Sequence, residues 1–223
     1  MSRRWRGVLF DLDGTLVDTL DLILASYRHT MHAHLGEAPP DAEWMRTMGR
    51  PLIVQLEDFA ETPDQLQSMF EMYLAHNEAN QERLVRSFPG VREAVAAISE
   101  AGYRLGIVTS KINENARREL RSCGLDGLFD ALVGANDVDH PKPHPEPVLR
   151  GLEAIGCAAD ETLLVGDSVY DLEAGRAAGV ATAAALWGPF EREQLAVSEP
   201  DYWLEDVPAL LGLLGVKAGA DRG

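Results

Sequence analysis

The chain has 223 residues, 46% of them hydrophobic, with 20 Lys and Arg against 36 Asp and Glu and a formal net charge of −16. That length and apolar content suffice for one large domain or two small ones around a buried core, and they exclude a disordered chain. The acidic balance argues against general nucleic-acid binding, which needs a cationic surface to release counterions, and against docking on anionic membranes, which needs basic clusters.

In chain order, the basic start Met1-Ser2-Arg3-Arg4 leads into Gly7-Val8-Leu9-Phe10. This apolar run ends at Asp11, too soon for the core of a signal peptide, and it reads instead as a buried strand. No later stretch approaches the roughly 20 apolar residues of a membrane helix. Cys123 and Cys157 lie in apolar, helical-looking stretches without neighbouring His or Cys. They read as buried, reduced thiols, so the expected location is the cytoplasm.

Residues 18–88 carry helical spacing only, through Leu20, Leu24, Tyr27, Met31 and Leu35 and again through Leu66, Phe70, Tyr73 and Leu74. They predict a small helical domain inserted after the first strand, with hinges near 18–20 and 88–90, and are a lid candidate. Beyond it, Leu105-Gly106-Ile107-Val108, Ala131-Leu132-Val133 and Leu163-Leu164-Val165 read as further parallel strands, and 180–185 as a weaker one. Helical patterns over 91–101, 114–123, 146–155 and 172–178 each stop at a glycine, and a last helix covers about 207–214. This alternation predicts an α/β fold, a doubly wound parallel sheet over 1–17 and 89–216 with the small α-helical domain inserted at 18–88. The Gly- and Ala-rich end, 217–223, reads as a flexible tail. Alternating prolines in Pro141-Lys142-Pro143-His144-Pro145-Glu146-Pro147 predict a rigid loop.

In such a sheet ligands bind beyond the carboxyl ends of the strands. The first strand delivers Asp11-Leu12-Asp13-Gly14-Thr15 there, the second Thr109-Ser110-Lys111, the third leads to Lys142, and the fourth delivers Gly166-Asp167-Ser168 with Asp171 beyond. An aspartate after a strand is often only a helix cap or turn former. Four at one edge repel one another and need a cation or lysines nearby, and oxygen ligands of this kind suit Mg²⁺ together with a substrate phosphate. The chain has only three lysines, Lys111, Lys142 and Lys217, and two of them fall at this edge, placed for a phosphoryl oxygen.

These four segments, in this order and spacing, resemble the four motifs of the haloacid dehalogenase-like superfamily over about residues 7–188. The resemblance implies an inserted helical cap and a phosphoryl-transfer site. Asp11 would be the nucleophile that forms an aspartyl-phosphate, and Asp13 the general acid and then base. Mg²⁺ would be held by the Asp11 carboxylate, the Asp13 carbonyl and Asp167, with Asp171 through water or in support. Thr109 and Ser110 would bind the phosphoryl group, and Lys142 would neutralise it while steadying Asp11.

Within the superfamily, Asp13 argues for phosphoryl transfer over dehalogenation. Residues 18–88 contain no lysine, which excludes a Schiff base from the cap. The pattern is most similar to phosphoglycolate phosphatases. The 142–147 loop and Pro200-Asp201-Tyr202 also resemble an inorganic pyrophosphatase branch, and sugar phosphomutases stay open. A non-enzymatic phospho-aspartate switch shares the aspartates, hydroxyl and lysine but has no use for Asp13 or a lid. Arg50, between cap helices, is the candidate for recognising a carboxylate or second phosphate. His29, His32 and His34 read as a polar helix face, and Trp44 and Trp187 as packing residues. The expected partner is a small phosphorylated metabolite, with a monomer or homodimer left open.

Overall fold

The computed structural model describes residues 4–217. In chain order it forms β1 (Gly7–Phe10), β2 (Val17–Asp18), α1 (Leu20–Leu35), α2 (Asp41–Met45), α3 (Leu52–Glu57), α4 (Pro63–Leu84), β3 (Arg86–Ser87), α5 (Val91–Glu100), β4 (Arg104–Val108), α6 (Asn113–Ser122), β5 (Ala131–Val133), α7 (Glu146–Ile155), β6 (Thr162–Gly166), α8 (Val169–Ala178), β7 (Ala181–Ala185), α9 (Arg192–Leu195), β8 (Tyr202–Leu204) and α10 (Val207–Leu214). Six strands make one parallel sheet in the order β5-β4-β1-β6-β7-β8, with β1 paired to β4 on one side and β6 on the other. The doubly wound α/β fold is therefore present.

Strand side chains alternate between the two faces of this sheet. Val8, Phe10, Leu105, Ile107, Leu163 and Val165 pack with α5, α6 and α10, whereas Leu9, Val108 and Leu164 pack with α7 and α8. Both faces of the central strands are covered, which is why they read as unbroken apolar runs. From β1 the chain builds outward through β4 and β5 on one side and then crosses to β6 on the other, so the order switches direction between β1 and β6 and the aspartates following these two adjacent parallel strands meet at one edge.

The helices between β2 and β3 have a core of their own, built on Tyr27, Met31, Trp44, Leu56, Met69 and Tyr73. Trp44 stacks on Tyr27 and Tyr73, with ring centroids 4.8 and 5.8 Å apart. The segment departs from its strand-free expectation at its two ends. Val17 pairs antiparallel with Ser87 and Asp18 with Arg86, a ribbon too short to show a sequence period, which ties the segment's entry to its exit.

Two further differences have local causes. α8 starts at Val169, three residues before the expected position, because Ser168 caps it: its hydroxyl accepts from the Asp171 N–H while the Asp171 carboxylate accepts from the Ser168 N–H. β8, unforeseen, is a three-residue edge strand paired only to β7, and Tyr202-Trp203-Leu204 is too short to stand out between acidic turns. Residues 218–223 of the expected tail lie outside the described residues. Cys123 and Cys157 are free and half-buried.

Candidate active site

β1 ends in a turn in which the Gly14 N–H donates to the Val17 carbonyl, at φ +80°. A Cβ at Gly14 would lie 2.3 Å from Asp167 Oδ2, so only glycine lets the two loops approach. Asp11, Asp167 and Asp171 thereby converge, each buried, with one carboxylate oxygen from each within 4.8 Å of the others. The Lys142 ammonium donates to Asp11 Oδ1 (2.7 Å), to the Val108 carbonyl (3.2 Å) and to Asp171 Oδ1. Thr15 Oγ1 donates to Asp167 Oδ1 at 2.8 Å.

Burial dominates the electrostatics. It pushes the Asp11 carboxyl up to about 7, with Asp171 and Asp13 adding to the rise and Lys142 opposing it. Asp167 is raised well above the usual carboxylate range by burial and then by Asp11 and Asp171. For Lys142 burial acts downward, but Asp11 and Asp171 outweigh it and hold the ammonium charged. One lysine thus leaves three buried carboxylates under-compensated. An all-oxygen donor set of this charge fits a hard divalent cation.

Asp13, Thr109, Ser110, Lys111 and Arg50 line a cavity of about 600 Å³ between this edge and the inserted helices, together with Asp11 and Asp167. Asp13 Oδ1 accepts from Thr19 Oγ1 (2.5 Å) and from the Lys111 ammonium (2.7 Å). Lys111 also donates to Glu119, a fully buried residue of α6. The Thr109 hydroxyl accepts from the Lys111 N–H at 3.2 Å. Ser110 Oγ donates to the Gly49 carbonyl at 2.6 Å, joining the phosphate-binding candidate to the loop before α3. Arg50, in the same loop, pairs with the half-exposed Asp58 at 3.3 Å.

Every residue singled out at the strand ends therefore meets at one place, and Arg50 faces it from the inserted helices. Sequence reasoning missed Glu119 and the hydroxyl supports from Thr15, Thr19 and Ser168. The signal for Glu119 was its place on the face of α6 that carries the buried Ala116 and Leu120. Trp187 does pack, its indole N–H donating to the Thr15 carbonyl at 2.9 Å. His29 is exposed and stacks on His76, with centroids 4.4 Å apart. A second trio that could ligate a metal, His140, His144 and Glu146, sits on the proline-rich loop.

The model of the haloacid dehalogenase-like hydrolases matches residues 8–185. The chain belongs to this family. It is an enzyme, a hydrolase with the strand-end aspartates and lysine in the family's order. Among its relatives, the pyrophosphatase PpaX of Anoxybacillus flavithermus is 39% identical over 209 residues, 94% of this chain and 96% of that protein. PpaX of Bacillus velezensis is 38% identical over 216 residues, 97% and 99% of the two chains. A crystal structure of a predicted phosphoglycolate phosphatase from Haemophilus somnus superimposes with a TM-score of 0.87 at 26% identity, covering 94% of this chain and 98% of that one. Among the described residues no helix is long and apolar enough to cross a membrane.

Proposed function

We propose that this hydrolase is a Mg²⁺-dependent phosphatase that cleaves a small phosphomonoester through an aspartyl-phosphate on Asp11. The observation that carries this reading is the buried Lys142 ammonium bridging Asp11 and Asp171 beside Asp167, a site with one fixed cation and the carboxylates for a second. Mg²⁺ held by Asp11, the Asp13 carbonyl and Asp167, with Asp171 in support, would offset the repulsion between a carboxylate and a phosphate and stabilise charge on the transferring oxygens.

This chain's residues supply the rest. Lys142 binds Oδ1 of Asp11 and leaves the other oxygen to attack phosphorus. The bond to the leaving oxygen breaks as Asp13 gives that oxygen a proton. Asp13, now a carboxylate, takes a proton from the water that attacks phosphorus, and the phosphorus–Asp11 bond breaks to release inorganic phosphate. Thr109 and Ser110 line the cavity and would donate to the phosphoryl oxygens, Ser110 by exchanging its bond to the Gly49 carbonyl, and the inserted helices would limit water around the reacting group.

For the substrate, the motif pattern and the similar Haemophilus somnus protein support a phosphoglycolate-like monoester. The names of the PpaX relatives favour inorganic pyrophosphate as a second reading. Either would bring a second anionic group toward Arg50, whose exposed pairing with Asp58 is weak enough to be exchanged for it. A phosphate-release screen with Mg²⁺ over phosphoglycolate, pyrophosphate, sugar phosphates and nucleotides tests the proposal, with Asp11→Asn as control. Metal-dependent release that disappears in Asp11→Asn is expected. Stoichiometric phosphorylation without turnover would instead indicate a phospho-aspartate switch.

A further inference from the structure

α6 presents Ala116, Glu119 and Leu120 to the core, and Glu119 is 0% exposed. An apolar side chain would satisfy that position on packing grounds. The carboxylate there instead spends its one described hydrogen bond on Lys111, through Oε1, while Oε2 is buried with no partner among the described residues. A buried ion pair is a poor source of stability, because desolvation offsets its attraction, and a bare carboxylate oxygen makes it poorer. The pair does, however, fix the position of one ammonium group.

That ammonium sits on Asp13. Both donors to the Asp13 carboxylate, Lys111 Nζ at 2.7 Å and Thr19 Oγ1 at 2.5 Å, fall on Oδ1. Oδ2 has no hydrogen-bond donor among the described residues. Two bonds to one oxygen fix the plane of the carboxyl group and leave the other oxygen to carry a proton. Lys111 comes from the turn after β4 and Thr19 from the start of α1, so the carboxylate is gripped from both sides of the cavity.

We propose that Glu119 is a positioning residue for the reaction: it holds Lys111 against Asp13 Oδ1 so that Oδ2 faces the oxygen of the leaving group. Lys111 is then a clamp on the general acid as well as a lining residue of the cavity. The proposal rests on the reading of Asp13 as general acid and base.

The test compares two substrates in the full-length enzyme with Mg²⁺. p-Nitrophenolate leaves without a proton, whereas the alkoxide of an alkyl phosphate such as phosphoglycolate does not. Glu119→Gln keeps the volume and removes the charge that holds Lys111. It is expected to lower kcat/KM for the alkyl phosphate about tenfold more than for p-nitrophenyl phosphate, a fraction of what general acid catalysis contributes. A merely structural role would lower both alike, and equal losses, or no loss on either, overturn the proposal. Should E119Q fail to fold, judged by circular dichroism, Lys111→Gln carries the same test and must change the ratio in the same direction. Asp13→Asn in parallel separates the two claims: if it leaves the ratio as in the unaltered enzyme, Asp13 is not the general acid and the role of Glu119 falls with it, whereas a ratio changed in Asp13→Asn but not in Glu119→Gln overturns the role of Glu119 alone.

Discussion

Without a bound cation, Asp11 and Asp167 are held protonated to unusually high pH, by burial first and then by neighbouring carboxylates: Asp171 and Asp13 for Asp11, Asp11 and Asp171 for Asp167. The consequence for stability has a definite sign. Asp11 has a folded-state value of about 7, above its ordinary carboxylate value, so its contribution is complete at low pH and is lost as pH rises from the ordinary carboxylate range through about 7. A divalent cation bound between these carboxylates would replace the proton. Mg²⁺ is therefore expected to raise the melting temperature by about 3–8 °C near pH 8 and by clearly less near pH 5. Scanning calorimetry checks this; an equal shift at both pH values, or the same shift in Asp167→Asn, contradicts it. Asp13→Asn is expected to cut kcat for an alkyl phosphate roughly 10²–10⁴-fold with its circular dichroism preserved, and wild-type turnover would remove Asp13 from the mechanism. The strand-end residues were legible because their chemistry stands out against apolar strands. Glu119 was harder to single out, because in Asn113-Glu114-Asn115-Ala116-Arg117-Arg118-Glu119 one more charge reads as solvent-facing; its spacing from Ala116 and Leu120 puts it on the buried face, and the placement of Lys111 shows what it pairs with.

Among the elements, the loop between α2 and α3 couples the inserted helices to the sheet. Ser110 donates to the Gly49 carbonyl, and a Cβ on Gly49 would meet Tyr170 Cδ2 at 2.7 Å and Ser168 Oγ at 3.0 Å, with φ at +107°. Gly49→Ala should push this loop, with Arg50, off the strand-end edge and lower kcat/KM about 10–100-fold while the core unfolds at nearly its original temperature. Steady-state kinetics within about twofold of wild type would show that the contact is incidental to catalysis. The sheet itself was readable from buried runs punctuated by glycine, and α7 and α10 fall at their expected bounds. What escaped was β2, β3 and β8, elements of two or three residues whose existence depends on a partner strand and not on their own periodicity.

At the scale of the whole molecule, a charge of −16 and an anionic substrate coexist because the field that matters is local. Three buried carboxylates and one buried ammonium lie at the edge of the sheet, beneath a separate helical core that bounds the cavity. A metal shared between carboxylates and phosphate would let a small anion enter where a polyanion would meet the acidic exterior. In the proposed reaction phosphate passes through Asp11. With Asp13→Asn and p-nitrophenyl phosphate the leaving group departs without an acid, while hydrolysis lacks its base, so the phosphoenzyme should accumulate. Acid quenching, borohydride reduction and peptide mapping should then find homoserine at position 11 in a fraction of the protein that depends on substrate and Mg²⁺. Turnover with an unmodified Asp11, or with the label on another residue, would contradict it.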